Sequence, residues 1–301
     1  MITAVVLAAL ATACAVGSWR FTTARWTSRA PRLAIIVWQS LGLAWGLATT
    51  GAMLAFAVQP YGTGVIPGLA AFARGETPPQ AWDPLHVLAL IAGLTALAVL
   101  IAVLITAGVQ ALRARRRHRM LLALTSHDDP GVPGVRVLAH PSAAAYCVPG
   151  LRSQVVVSEG ALKLLSEDEL AAVLAHEAAH VRERHDLVLL PFAALRRALP
   201  WSKVVADAQA QVELLVEMAA DDRARRYCSP RRLATALLRF GTAGAMPAPQ
   251  GMLGVHASHV MARVDRLVKP LPELAAHVRY GYIALSVTLV TSAPLLWFLQ
   301  L

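Results

Sequence analysis

Two histidines flank a glutamate in LAHEAAHVRERHD, residues 174–186. On a helix, His176 and His180 sit one turn apart and project from one face, so their ring nitrogens can converge on a single ion. Imidazole suits zinc, whose preferred geometry is tetrahedral. Glu177 is rotated to the side, where its carboxylate can reach a water and act as general base. Ala178 and Ala179 keep the helix slim enough for close approach by another. A lone HExxH is weak, however, because a catalytic zinc site needs a third protein ligand.

ELLVEMAADDRARR, residues 213–226, offers that ligand. Glu217 stands on a second predicted helix whose apolar stripe includes Leu214, Leu215 and Met218, and it can complete a His₂Glu set. Asp221 follows one turn later on the same face. It can accept a hydrogen bond from the free ring nitrogen of a ligating histidine and so fix its tautomer. Glu213 and Asp222 read as surface carboxylates.

The elements that must hold these groups are visible in outline. Ser166 and Glu169 form a capping box that opens the first helix. Leu170, Val173, Leu174 and Val181 continue its apolar stripe. Upstream, GVRVLAH (134–140), AAAYCV (143–148) and RSQVVVS (152–158) read as strands, with the turn pair Pro149-Gly150 between the last two. RSQVVVS is read as a possible edge strand beside the cleft, able to take substrate by strand addition, or as an ordinary core strand. GTAGAMPAPQGMLG (241–254) reads as a flexible loop.

The whole chain of 301 residues is 56% hydrophobic and 15% charged, which points to a membrane protein. A bilayer core takes about 20 apolar residues in a helix. Four stretches approach or reach this, at about 2–17, 33–58, 85–112 and 280–299. The first has no basic residue before Arg20 and is read as a retained span, not a signal peptide. The fold expected is a mainly α membrane protein. Residues 1–112 hold three spans, 113–279 a cytoplasmic α+β domain, and 280–301 the fourth span.

Loop charges orient it. Arg20, Arg25, Arg29 and Arg32 lie between the first two stretches with no acid among them. The next connection has five prolines and two acids against one arginine, and RARRRHR follows the third stretch at 113–119. Both termini are therefore expected outside and the central domain in the cytoplasm. RARRRHR beneath a span reads as an anchor to anionic headgroups, and with no aromatic interleaving or DNA-binding motif no direct nucleic-acid binding is expected. The scattered Cys14, Cys147 and Cys228 give neither a disulfide framework nor a thiolate metal site. LVLLPFAALRRALPW, interrupted by Pro191, Arg196 and Arg197, is too short and charged to span and reads as a membrane-surface segment.

HEAAH on one helix and EMAAD on another resemble the gluzincin pattern HExxH…ExxxD of HtpX-like membrane proteases, CAAX prenyl endopeptidases and BlaR/MecR-type membrane metallopeptidases. The run AYCVPGLRSQVVVSEGALKLLSEDELAAVLAHEAAH looks like the same families' strand, turn, strand and active-site helix. The resemblance covers about residues 110–270. Three spans before the domain and one after resemble the BlaR/MecR-type layout more than the HtpX one. No penicillin-binding domain follows the fourth stretch in this sequence, so a stand-alone member is expected. The Ala-Ala interior of HEAAH departs mildly from the family habit.

The resemblance implies a zinc endopeptidase of a bacterial inner membrane. His176, His180 and Glu217 would hold zinc, Glu177 would be catalytic, and Asp221 would orient a ligand. The substrate would be a cytoplasmic or membrane-associated protein or peptide, such as a transcriptional repressor cleaved in signalling. His185, His256, His259 and Arg263 are candidates for a cation that meets the transition state or substrate. Two rivals stand beside this reading. One is HtpX-like quality control of membrane proteins. The other is a non-catalytic zinc-binding receptor or scaffold, against which the intact Glu177 argues.

Overall fold

The structure is a computed structural model, and it describes residues 1–128, 135–148, 154–242, 259–269 and 271–299. In chain order, the elements open with α1 (Ile2–Phe21), α2 (Pro31–Ala57), α3 (Val65–Ala73) and α4 (Pro84–Thr125). Four short strands follow, β1 (Ser126–Asp128), β2 (Val135–Leu138), β3 (Ala145–Val148) and β4 (Gln154–Ser158). Then come α5 (Glu159–Leu164), α6 (Glu167–Arg182), α7 (His185–Ala198) and α8 (Lys203–Ala224). The last are α9 (Pro230–Thr242), α10 (Val260–Val268) and α11 (Ala276–Phe298). The chain divides into two compact units, one of residues 1–103, 194–208 and 274–301, the other of 104–193 and 209–273.

The first unit carries the apolar helices. Four helices are long and apolar enough to cross a bilayer: α1, α2, the Pro84–Ala114 part of α4, and α11. All four match expected stretches, with shifted ends. The first runs to Phe21 and the last begins at Ala276. The third continues unbroken to Thr125 because the arginine-rich run that ends the apolar stretch is itself a good helix former. Small residues let α2 and α11 approach closely. A methyl group on Gly51 would lie 2.2 Å from Trp297 Nε1, so only glycine fits under that ring.

In the second unit the sheet has the order β1-β2-β4-β3. β1 pairs antiparallel with β2, β2 parallel with β4, and β3 antiparallel with β4. RSQVVVS therefore supplies an internal strand. The edge-strand reading of 152–158 is corrected: β4 lies between two neighbours, and among the described residues β3 is the edge on that side. β3 packs against α6. The loop reading at 241–254 falls, from residue 243 on, outside the described residues.

The junction from sheet to helix rests on Ser158. Its hydroxyl accepts from Ala144 N at 2.8 Å and from Ala161 N at 3.1 Å, and donates to Ser142 O at 2.8 Å. Next to it, a Cβ on Gly160 would stand 2.0 Å from the Pro141 carbonyl oxygen, so the backbones meet only because the side chain is absent.

α6 is the central element of this unit. Its capping box forms as the sequence predicts: Glu169 N donates to Ser166 Oγ at 3.4 Å and Ser166 N to Glu169 Oε2 at 2.9 Å. Arg239 on α9 binds the same carboxylate oxygen at 2.6 Å, which ties the helix start to its neighbour. On one side, Leu170, Val173 and Leu174 pack into a core with Val135, Ala145, Val157, Ala161 and Phe240. On the other, Ala172 and Ala175 pack with Ala224, Leu233, Leu237, Val260 and Leu267. With apolar residues on two sides, α6 is fixed in rotation, and that decides where its histidines point.

Candidate active site

His176, Glu177 and His180 are all buried on α6, at 3%, 1% and 2% exposure. α8 faces them with Glu217 and Asp221, also buried. The α8 residues Val212, Leu215, Val216, Ala219 and Ala220 fill the core around that pair, which aims the two carboxylates. His176 Nε2 lies 3.0 Å from His180 Nε2 and 3.3 Å from Glu217 Oε2. His180 Nε2 lies 3.6 Å from Glu217 Oε1. One ligand atom from each of the three falls within 4.8 Å of the others. His176 Nδ1 lies 3.0 Å from Asp221 Oδ1, the orienting contact expected from the ExxxD spacing.

Arg263, on α10, is completely buried beside these groups. Its Nε and Nη2 donate to the two Asp221 oxygens at 2.8 and 2.7 Å, and its Nη1 lies 2.7 Å from Glu217 Oε2. The guanidinium considered for substrate contact is thus engaged by the carboxylates that surround the histidines. His259 caps the start of α10 and is half-buried. His256 lies outside the described residues. His185 is buried against His180, Nδ1 to Nδ1 at 2.9 Å. Glu213 accepts from Gln209 Nε2 at 2.9 Å, and Asp222 takes Arg266 in a fork of two 2.8 Å bonds.

Burial and charge pull these groups in opposite directions. Burial would lower His176, but Asp221 and Glu217 outweigh it and push the imidazole up to about 9. Burial wins at His180, held well below its ordinary value, and at His185, pushed down to about 4. Burial would raise Glu217 and Asp221, yet Arg263 beside both holds them below the usual carboxylate range.

The donor set fits a divalent metal. Two imidazoles present Nε2 and a carboxylate faces them, the nitrogen and oxygen chemistry zinc prefers. With both imidazoles neutral, as metal ligands must be, Glu177, Glu217 and Asp221 against Arg263 leave two net negative charges in a buried place, a balance that a doubly charged ion closes.

Residues 109–243 match the model of peptidase family M48. Over that stretch the chain is similar to M48 peptidases. A protease HtpX homologue of Aeropyrum pernix is 42% identical over 91 residues, 28% of this chain and 28% of that protein. One of Trichormus variabilis is 36% identical over 77 residues, 25% of this chain and 27% of that protein. The chain thus matches less than a third of the length of these curated relatives. No solved structure matches. The cluster of His176, His180 and Glu217 lies within the matched stretch. Four helices of this chain are long and apolar enough to cross a bilayer, the make-up of a multi-pass membrane protein.

The sequence missed how the acids are held. Arg263 bridges both Asp221 and Glu217, and Arg266 holds Asp222, from a helix distant in sequence. The available signal was the spacing of the two arginines in VMARVDRL, which puts them on nearby faces of one helix.

Proposed function

We propose that the chain is a zinc-dependent endopeptidase held in a bacterial inner membrane, with its M48 domain on the cytoplasmic side. The observation that carries the proposal is the buried convergence of His176, His180 and Glu217, with Glu177 next to them on α6. Those three residues would hold the zinc, which when bound supplies Lewis acidity for a peptide carbonyl and lowers the pKa of water toward neutrality. Glu177 takes the proton of the attacking water and passes it to the leaving amine. Asp221 keeps Nε2 of His176 turned inward, and Arg263 holds Asp221 and Glu217 in place. The arginine-rich connections support the cytoplasmic orientation.

The substrate in this reading is a cytoplasmic or membrane-associated protein, and the role is signalling through cleavage of a transcriptional repressor. HtpX-like clearance of damaged membrane proteins is the second reading, favoured by the names of the two relatives. The first experiment is zinc per chain in detergent-purified protein. Wild type and Glu177→Gln are expected near one zinc, and Glu217→Ala well below it. Glu177→Gln should cut peptide hydrolysis by roughly 10²–10⁴ while keeping its metal. A folded wild type without zinc would sink the protease reading. Comparing proteins stabilised in Glu177→Gln cells then separates the two roles, a single repressor for the first and many membrane proteins for the second.

A further inference from the structure

The two histidines of the cluster are held differently. His176 meets a carboxylate, Asp221, at 3.0 Å. His180 meets another imidazole, and the chain makes an unusual backbone turn to put it there. α6 ends at Arg182, Glu183 caps it, and Arg184 adopts φ 51, the left-handed region that non-glycine residues avoid. That turn starts α7 at His185 and folds the ring of His185 back onto His180, where it is 2% exposed.

We infer that Glu183 and His185 form a relay that positions His180 by fixing which ring nitrogen carries its proton; the inference rests on the zinc reading above. An Nδ1-to-Nδ1 contact of 2.9 Å between neutral rings holds one hydrogen, so one ring donates and the other accepts. Nε2 of His180 faces His176 and Glu217, so it is the atom that must present a lone pair. Its hydrogen then sits on Nδ1 and is donated to Nδ1 of His185. His185 must carry its own hydrogen on Nε2, which lies 3.5 Å from Glu183 Oε2. Glu183 Oε1 lies 3.8 Å from Arg223 Nη1, which sets a cation beside that acceptor. Each proton position follows from the next, from Arg223 inward to His180. These are positioning residues: they touch a ligand and not the reacting atoms.

The test measures metal binding, not turnover. Metal-free full-length chain in detergent is titrated with Zn²⁺ against a chromophoric chelator, and Co²⁺ is added separately to read its visible spectrum. His185→Leu removes the acceptor and is expected to weaken zinc binding about 10–100-fold and to shift the Co²⁺ bands. His185→Asn puts an amide oxygen near the former Nδ1 and should recover binding to within about threefold of wild type. Glu183→Met should weaken binding, whereas Glu183→Gln, whose amide oxygen still accepts, should stay near wild type. His185→Leu with wild-type affinity and spectrum overturns the relay, as does His185→Asn binding no better than His185→Leu. Where His185→Leu does not fold, the Glu183 pair decides in the same way, and equal affinities for Met and Gln overturn the relay. A wild-type chain that takes up no zinc overturns the underlying zinc reading instead, and shows it before any variant is made.

Discussion

The two units differ in how far their buried hydroxyl and charged groups reach. In the first unit the buried hydroxyls of Ser40 and Thr50 bond within their own helix. Ser40 Oγ donates to Ile36 O and Thr50 Oγ1 to Gly46 O, each at 2.8 Å, as does the exposed Thr291 Oγ1 to Val287 O. Contact between α2 and α11 rests mostly on shape, with Trp297 lying over Gly51 and one bond from Trp297 Nε1 to Leu47 O at 3.3 Å. In the second unit buried polar groups reach across helices. Arg263 finds Asp221 across 42 residues of sequence, and His176 lies 3.4 Å from Arg263 across 87. Local satisfaction makes a helix tolerant of its surroundings. Satisfaction between helices makes each partner depend on the others, and leaves an unpaired charge when one is lost.

Arg263→Leu should have the largest effect on stability. It leaves Asp221 and Glu217 buried side by side, and chemical unfolding of the second unit should show a loss of about 3–5 kcal/mol. An unchanged midpoint would break the contrast. In the first unit, Gly51→Ala drives a methyl into the Trp297 ring, and thermal unfolding in detergent should show a loss of about 1–3 kcal/mol. Trp297→Leu in the same chain should recover most of it, which identifies shape as the cause. Arg184→Gly relieves the left-handed residue and should raise stability by up to about 1 kcal/mol, with zinc content unchanged. Thr50→Val removes a bond confined to one helix and should change stability by less than about 1 kcal/mol. A larger loss there would mean that Thr50 reaches a second helix.

How much was legible follows the same division. The apolar stretches announced the spanning helices, because length and composition are local properties. The pair His176 and His180, and the pair Glu217 and Asp221, were readable for the same reason: a helix fixes what one turn brings to one face. The capping box at Ser166 was readable too. The place of RSQVVVS was not, because its neighbours are chosen by parallel pairing with β2, which no short window contains. Nor was the embrace of Asp221 by Arg263, since it needs α8 and α10 side by side. The stretch at 85–112 agrees with the apolar Pro84–Ala114 part of α4, but the helix's run to Thr125 was not legible, because hydropathy marks where a helix leaves lipid and not where its hydrogen bonds stop.

The chain order of the cluster has a consequence for biosynthesis. His176 and His180 leave the ribosome first, Glu217 follows, and Arg263 comes last of the groups around them. At about 5–20 residues per second, roughly 4–17 seconds separate the synthesis of His180 from that of Arg263. For about the first half of that interval the nascent chain lacks Glu217 and Asp221, and throughout it lacks the guanidinium that aligns them. The candidate site therefore cannot be complete until Arg263 has been synthesised, well after its two histidines.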